Sequence, residues 1–151
     1  MTDTEDHPSG GVVVGFDGST PAAGAVAWAA AQAERTGVRL DLVTSWEFPV
    51  SWGSAIPLPN DYDPVADAQS LLDPVVEQLR RVHPALEVHA HVIEGNPGEV
   101  LVGASRSASL LVVANRGHRA FAGVLLGSVS QHCVTHADCP VVVYREPPPA
   151  P

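Results

Sequence analysis

Lysine is absent: all 8 basic residues of the chain are arginine. That excludes a Walker-type phosphate loop, which needs its lysine, and any Schiff-base enzyme. It also excludes a receiver domain that relies on a lysine beside a phosphorylated aspartate. Cysteine is scarce, with only Cys133 and Cys139, so no disulfide framework holds the fold. No apolar run approaches the length of a membrane span. The start, Met1-Thr2-Asp3-Thr4-Glu5-Asp6, is acidic and lacks the basic lead and apolar core of a signal peptide. These absences predict a cytoplasmic protein away from membranes. The Gly-x-Ser-x-Gly nucleophile elbow is missing, as is a Gly-x-Gly-x-x-Gly fingerprint after the first strand. No paired-carboxylate motif falls on the loops that matter below.

What remains suits one compact domain. The chain has 151 residues, 45% hydrophobic and 17% charged. Its 17 acids against 8 bases give a net charge of -9, which argues against general nucleic-acid binding. The surplus lies wholly in residues 1–75, where 11 acids face Arg35 and Arg39. Residues 76–151 balance 6 acids with 6 arginines, so an anionic ligand would meet the second half.

Residues 1–9 read as a lead-in, 10–145 as the domain, and 146–151 as a proline-rich tail. Strands and helices alternate along the domain. Gly11 to Phe16 is a nearly continuous β-branched run, as in a strand covered on both faces. Asp17-Gly18-Ser19 is turn chemistry; Thr20-Pro21 then caps and opens an alanine-rich helix that Gly37 closes. A second strand covers about Arg39 to Ser45. Glu47 to Asp63 forms a long connection of the kind that often serves as a lid or binding loop. The second helix, from Asp63-Pro64 to about Val82, contains Pro74, which predicts a kink or a split. A third strand spans Glu87 to Ile93. Asn96 and Glu99 then form a capping box that opens a third helix. Leu110 to Val113 makes a fourth strand, and a glycine-bearing loop leads to a helix from Ser128. Val141 to Tyr144 is the fifth strand. This pattern predicts an α/β fold with a doubly wound, five-stranded parallel sheet in the order 3-2-1-4-5. Ligands of such sheets bind beyond the carboxyl ends of strands 1 and 4, where the winding reverses.

The loops at that point carry suitable chemistry. Gly117 and Gly127 let the backbone approach a ligand. The helix start at Gly127-Ser128 favours an anion, although Ser128 with Gln131 also fits a capping box that needs no ligand. Arg116 and Arg119 add charge of a shape suited to phosphate, and His118 lies between them. Asp17, at the end of strand 1, would hold ribose hydroxyls or magnesium, or simply close an Asx-turn.

Two motifs carry a resemblance. Gly15-Phe16-Asp17-Gly18-Ser19 is similar to the opening motif of the universal stress protein family. Arg116-Gly117, nine residues, then Gly127-Ser128-Val129-Ser130 resembles that family's nucleotide-binding signature. The ending, from Gln131-His132 through Cys139-Pro140 to Val143, fits as well. The resemblance implies a fold of the adenine nucleotide alpha-hydrolase-like type and ATP binding, with magnesium reached through the phosphates. It places Gly15 and Asp17 beside ribose and adenine, and Val43 along the adenine pocket. Gly117, Gly127, Ser128 and Val129 would hold phosphates and ribose through backbone N–H groups, with Arg116 in reach of the triphosphate. Ala114 stands where the family has its first glycine. A positive φ there would strain the site, whereas an extended backbone would add only a methyl group. The resemblance also implies a homodimer through the fifth strand. Val141, Val142 and Val143 on an open edge independently invite pairing.

Other constellations carry less. His132 and His136 share a helix face, but Cys133 points about 100° away and Cys139 lies past the helix. Those four residues therefore read as structural rather than as a metal site. His83, His89 and His91 show no partner pattern. Trp46 and Trp52 would cover a base or pack as core. The leading expectation is an ATP-binding stress sensor or regulator. The alternatives are a slow ATPase or self-phosphorylating protein, with Ser128 or Ser130 as acceptor, and a nucleotide-free dimeric interaction module.

Overall fold

The computed structural model describes residues 10–48, 57–117 and 126–148. Five parallel strands form one sheet in the order β3-β2-β1-β4-β5, as the alternation predicts. They are β1 (Val12–Gly15), β2 (Leu40–Trp46), β3 (Val88–Glu94), β4 (Leu110–Ala114) and β5 (Val141–Tyr144). The helices are α1 (Thr20–Thr36), α2 (Pro64–Val82), α3 (Pro97–Ser105) and α4 (Ser128–His136).

Two cores flank the sheet. Val12, Val14, Leu40, Leu42 and Val112 point to one face and pack with α1 and α2. Val13, Val43, Leu111 and Val113 point to the other and pack with α3 and α4 through Leu101, Ala104 and Cys133. The valine runs follow from this sandwiching, since alternate residues serve opposite cores. Ala22, Ala25, Ala29, Ala30 and Ala33 form the buried side of α1, and their small size brings its backbone close to the sheet.

Local chemistry sets the helix ends. Ser19, rather than Thr20, caps α1, its Oγ accepting the Ala22 N–H at 3.3 Å. Gly37 ends that helix with φ of 70°, a conformation that glycine adopts without a Cβ penalty. Asp63 Oδ1 accepts the Ala66 N–H at 3.0 Å to start α2. Pro74 does not split that helix, which is continuous from Pro64 to Val82. The Asn96 Oδ1 accepts the N–H groups of Gly98 and Glu99 at the start of α3.

One polar cluster lies inside the sheet. Asp41, in the middle of β2, is fully buried. Its Oδ2 accepts from Arg39 Nε at 3.0 Å, and its Oδ1 lies 2.7 Å from His91 Nε2. His89 pairs with Glu87 at 2.6 Å. The histidines of β3 therefore do have partners. The parallel register places Asp41 opposite His89, and His91 leans back onto it from two residues further on.

Candidate functional site

β1 and β4 are neighbours at the centre of the sheet, and the loops at their carboxyl ends face each other. Asp17 leaves β1 in an Asx-turn, its Oδ1 accepting the Ser19 N–H at 2.9 Å. Its Oδ2 points across the gap: a Cβ built on Gly117 would stand 2.8 Å from that oxygen. Glycine at 117 is therefore what lets the Asp17 carboxylate sit between the two loops. The Asx-turn reading of Asp17 is what its Oδ1 shows, while Oδ2 faces the opposite loop. Thr44, buried in β2, fixes the backbone just before it by donating to the Phe16 C=O at 2.8 Å.

Gly15 and Val43 lie side by side in register on the α3 side of the sheet. Leu101 of α3 fills the space above Gly15, because a Cβ there would come within 2.8 Å of Leu101 Cδ1. Glycine at 15 thus serves helix packing. Val43 is buried in the same core, and its C=O accepts the Phe16 N–H at 2.9 Å.

The second loop starts at Ala114, the last residue of β4. Ala114 pairs with Tyr144, and no non-glycine residue among those described has a positive φ. Its methyl group packs against the α1/α2 core. Alanine therefore brings no backbone strain, and its methyl goes to the core. Asn115 is buried, donates its N–H to the Tyr144 C=O at 2.8 Å, and accepts the Gly127 N–H at 2.6 Å. This bond closes the loop, bringing Arg116 and Gly117 against Gly127 and the start of α4. Arg116 is partly buried and Gly117 exposed. His118 and Arg119 lie outside the described residues.

The cap of α4 differs from the sequence expectation. Gly127 is the N-cap and Ser128 the first helical residue, and no side chain caps the helix. No capping box forms between Ser128 and Gln131. Gly127 takes the cap position because its C=O accepts the Gln131 N–H at 3.0 Å, while its own N–H goes to the Asn115 carbonyl. Among the described residues the first-turn N–H groups at Ser128 and Val129 have no side-chain cap, the arrangement that in general suits an anion. Gly127 itself has an ordinary φ of -71°. Among the described residues the atom nearest to a Cβ there would be Asn115 O at 3.4 Å, an ordinary contact distance, whereas at 15 and 117 a Cβ would crowd a side chain.

Sequence reasoning missed Thr44 and Asn115 as supports of the site. Their hydroxyl and amide chemistry carries no motif, and only the strand order shows what they hold. Trp46 falls on the α1/α2 side of β2 by alternation with Leu40 and Leu42. Its ring stacks edge-on with Phe48 at 5.1 Å, and Phe48 lies 6.5 Å from Tyr62. Trp46 thus joins an aromatic cluster on the opposite face of the sheet from Gly15 and Val43; Trp52 lies outside the described residues. Cys133 is buried, its thiol pushed up to about 11 by desolvation and by the neighbouring Cys139. His132 and His136 pack ring on ring at 4.6 Å. Among the described residues no group of three or more His, Cys, Asp or Glu side chains is arranged to hold a metal ion. None of the described helices is long and apolar enough to cross a membrane.

Strand order, winding and the two facing loops define a doubly wound fold of the adenine nucleotide alpha-hydrolase-like class. Comparison with known proteins narrows this further. The model of the universal stress protein family matches residues 10–145. Universal stress protein Rv2623 of Mycobacterium tuberculosis is 36% identical over 148 residues, covering 90% of this chain and 48% of that protein. The chain spans about half the length of the curated relatives it matches. Among solved structures, a universal stress protein in complex with cAMP aligns with a TM-score of 0.68 and 27% identity, over 90% of this chain and 96% of that one. A universal stress protein from Archaeoglobus fulgidus in complex with dAMP aligns with a TM-score of 0.65 and 20% identity, over 91% and 99% of the two chains. The chain belongs to the universal stress protein family.

Proposed function

We propose that this chain binds ATP at the switch point between β1 and β4 and acts as a nucleotide-dependent stress regulator in the cytoplasm. The observation that carries this reading is the start of α4 at Gly127, which carries no side-chain cap among the described residues and lies with Gly117 beside the Asp17 carboxylate. The first-turn N–H groups suit phosphate oxygens, Asp17 suits ribose hydroxyls, and Arg116 supplies the positive charge that a lysine-free site needs. The cAMP-bound relative supports an adenine nucleotide as the ligand class. Magnesium would be held mainly through the phosphates, within reach of Asp17. Free thiols at Cys133 and Cys139 accord with a reducing compartment. The fifth strand would pair two copies through the open edge at Val141, Val142 and Val143.

Slow hydrolysis or self-phosphorylation is the second reading, with exposed Ser128 the favoured acceptor. Ser130 is buried, with its hydroxyl bonded to backbone carbonyls. A nucleotide-free interaction module loses its main motive, because Ala114 neither strains the loop nor projects away from the core.

Thermal melting with a nucleotide panel tests the binding reading. ATP with magnesium, AMP and cAMP at millimolar concentration are expected to raise Tm by mass action, with guanine nucleotides giving less. An unmoved Tm with all three adenine nucleotides would count against it.

A further inference from the structure

The two ends of the segment between β4 and α4 meet at one carbonyl. The Asn115 C=O accepts the Gly127 N–H at 2.6 Å. The Ser130 Oγ lies 3.2 Å from that same oxygen and 3.0 Å from the Gly127 carbonyl oxygen. Ser130 is 1% exposed, so water does not compete for its proton. A serine hydroxyl carries a single proton, which is here shared between two acceptors. The bond to Gly127, three residues back, is the ordinary local bond of a serine in a first helical turn. The reach to Asn115 spans 15 residues, and it joins helix to strand.

We propose that Ser130 is a positioning residue of the nucleotide site: its buried hydroxyl latches the departure of the loop at Asn115 to its return at Gly127. The inference rests on the nucleotide-binding reading and adds to it. The residues that the latch pins are those placed at the phosphates, namely Arg116 and Gly117 on one side and Gly127 and Ser128 on the other. With the latch closed, Gly117 stays against the Asp17 carboxylate and the start of α4 stays against Arg116. Ser130 therefore holds the site and does not receive a phosphoryl group. Transfer to it would remove the shared proton and leave two carbonyls facing a buried phosphate.

Trypsin offers a direct readout, because cleavage in this chain is confined to arginine and Arg116 stands one residue past the latch. Arg80 and Arg81, at the end of α2, serve as internal references. In Ser130→Ala, cleavage after Arg116 is expected to rise on the order of 5-fold, the factor carried by one net hydrogen bond, with the α2 sites unchanged. Affinity for ATP should fall by a similar factor. Ser130→Thr, which keeps the hydroxyl, should bring both back toward wild type. Unchanged cleavage after Arg116 in Ser130→Ala, or an equal rise at the α2 sites, overturns the proposal. If the wild type binds no adenine nucleotide, the binding reading fails, and the cleavage ratio still decides whether the latch exists.

Discussion

At the scale of single residues, the glycines of the site sit in three different surroundings. Gly15 makes room for Leu101, Gly117 makes room for the Asp17 carboxylate, and at Gly127 the nearest described atom to a Cβ is Asn115 O at 3.4 Å. Ala114 shows the converse. Its extended backbone and core-facing methyl make it a good strand residue, so Ala114→Gly is expected to cost about 1 kcal/mol of stability and bring no gain in nucleotide affinity. Denaturant melts with parallel nucleotide titrations check both. The cysteines separate by burial. Desolvation holds the Cys133 thiol protonated up to about 11, whereas Cys139 is more exposed and less shielded. Alkylation of the native protein near neutral pH is therefore expected to label Cys139 and spare Cys133, read by peptide mass. The sign of the pH effect follows. The folded state keeps the Cys133 proton above the usual 9.0, so this thiol's contribution is complete below 9.0 and is lost as pH rises toward about 11.

At the scale of elements, most of the fold was legible because its causes are local. Valine runs announce sandwiched strands, alanines a helix packed close to a sheet, and Gly37 a helix end. The exceptions have tertiary causes. Ser128 reads as a cap, yet Gly127 takes that place, its C=O accepting from Gln131 and its N–H held by Asn115, 12 residues earlier. The Arg39–Asp41–His91 cluster was invisible because it joins residues 50 apart through strand register. Such a cluster is costly to break. Arg39→Met removes the cation bonded to a fully buried carboxylate and is expected to lower stability by about 3 kcal/mol, measured by urea unfolding. A loss under about 1 kcal/mol would mean that His91 alone compensates Asp41.

At the scale of the whole molecule, the two edges of the sheet are built differently. The β3 edge is seven residues long, with Glu87 just before it and Glu94 at its end, the kind of charge that discourages pairing. The β5 edge is four residues long and reads Val-Val-Val-Tyr. The carbonyls of Pro140 and Tyr144 accept from Leu111 of β4 and from Asn115 just past it. By alternation the N–H and C=O of Val141 and Val143 face outward. Val143→Pro removes one outward donor while keeping the bonds to β4. It is expected to convert the proposed homodimer to monomer with the nucleotide site intact, read by sedimentation velocity. An unchanged dimer would place the interface elsewhere. The order of the sheet also brings the β1 and β4 loops together, which is why their meeting was readable from sequence while the bonds of Thr44, Asn115 and Ser130 that support them were not. Those supports act through backbone atoms that only the folded topology brings together.

Calorimetric titration with ATP and magnesium tests most directly whether the facing loops at the β1–β4 switch point bind the nucleotide. Wild-type protein is expected to show saturable one-site binding. Gly117→Ala, whose new Cβ would crowd the Asp17 carboxylate, is expected to bind on the order of 10-fold more weakly with its melting temperature little changed. Absence of binding heat up to millimolar ATP, or equal binding by the wild type and Gly117→Ala, would contradict the account.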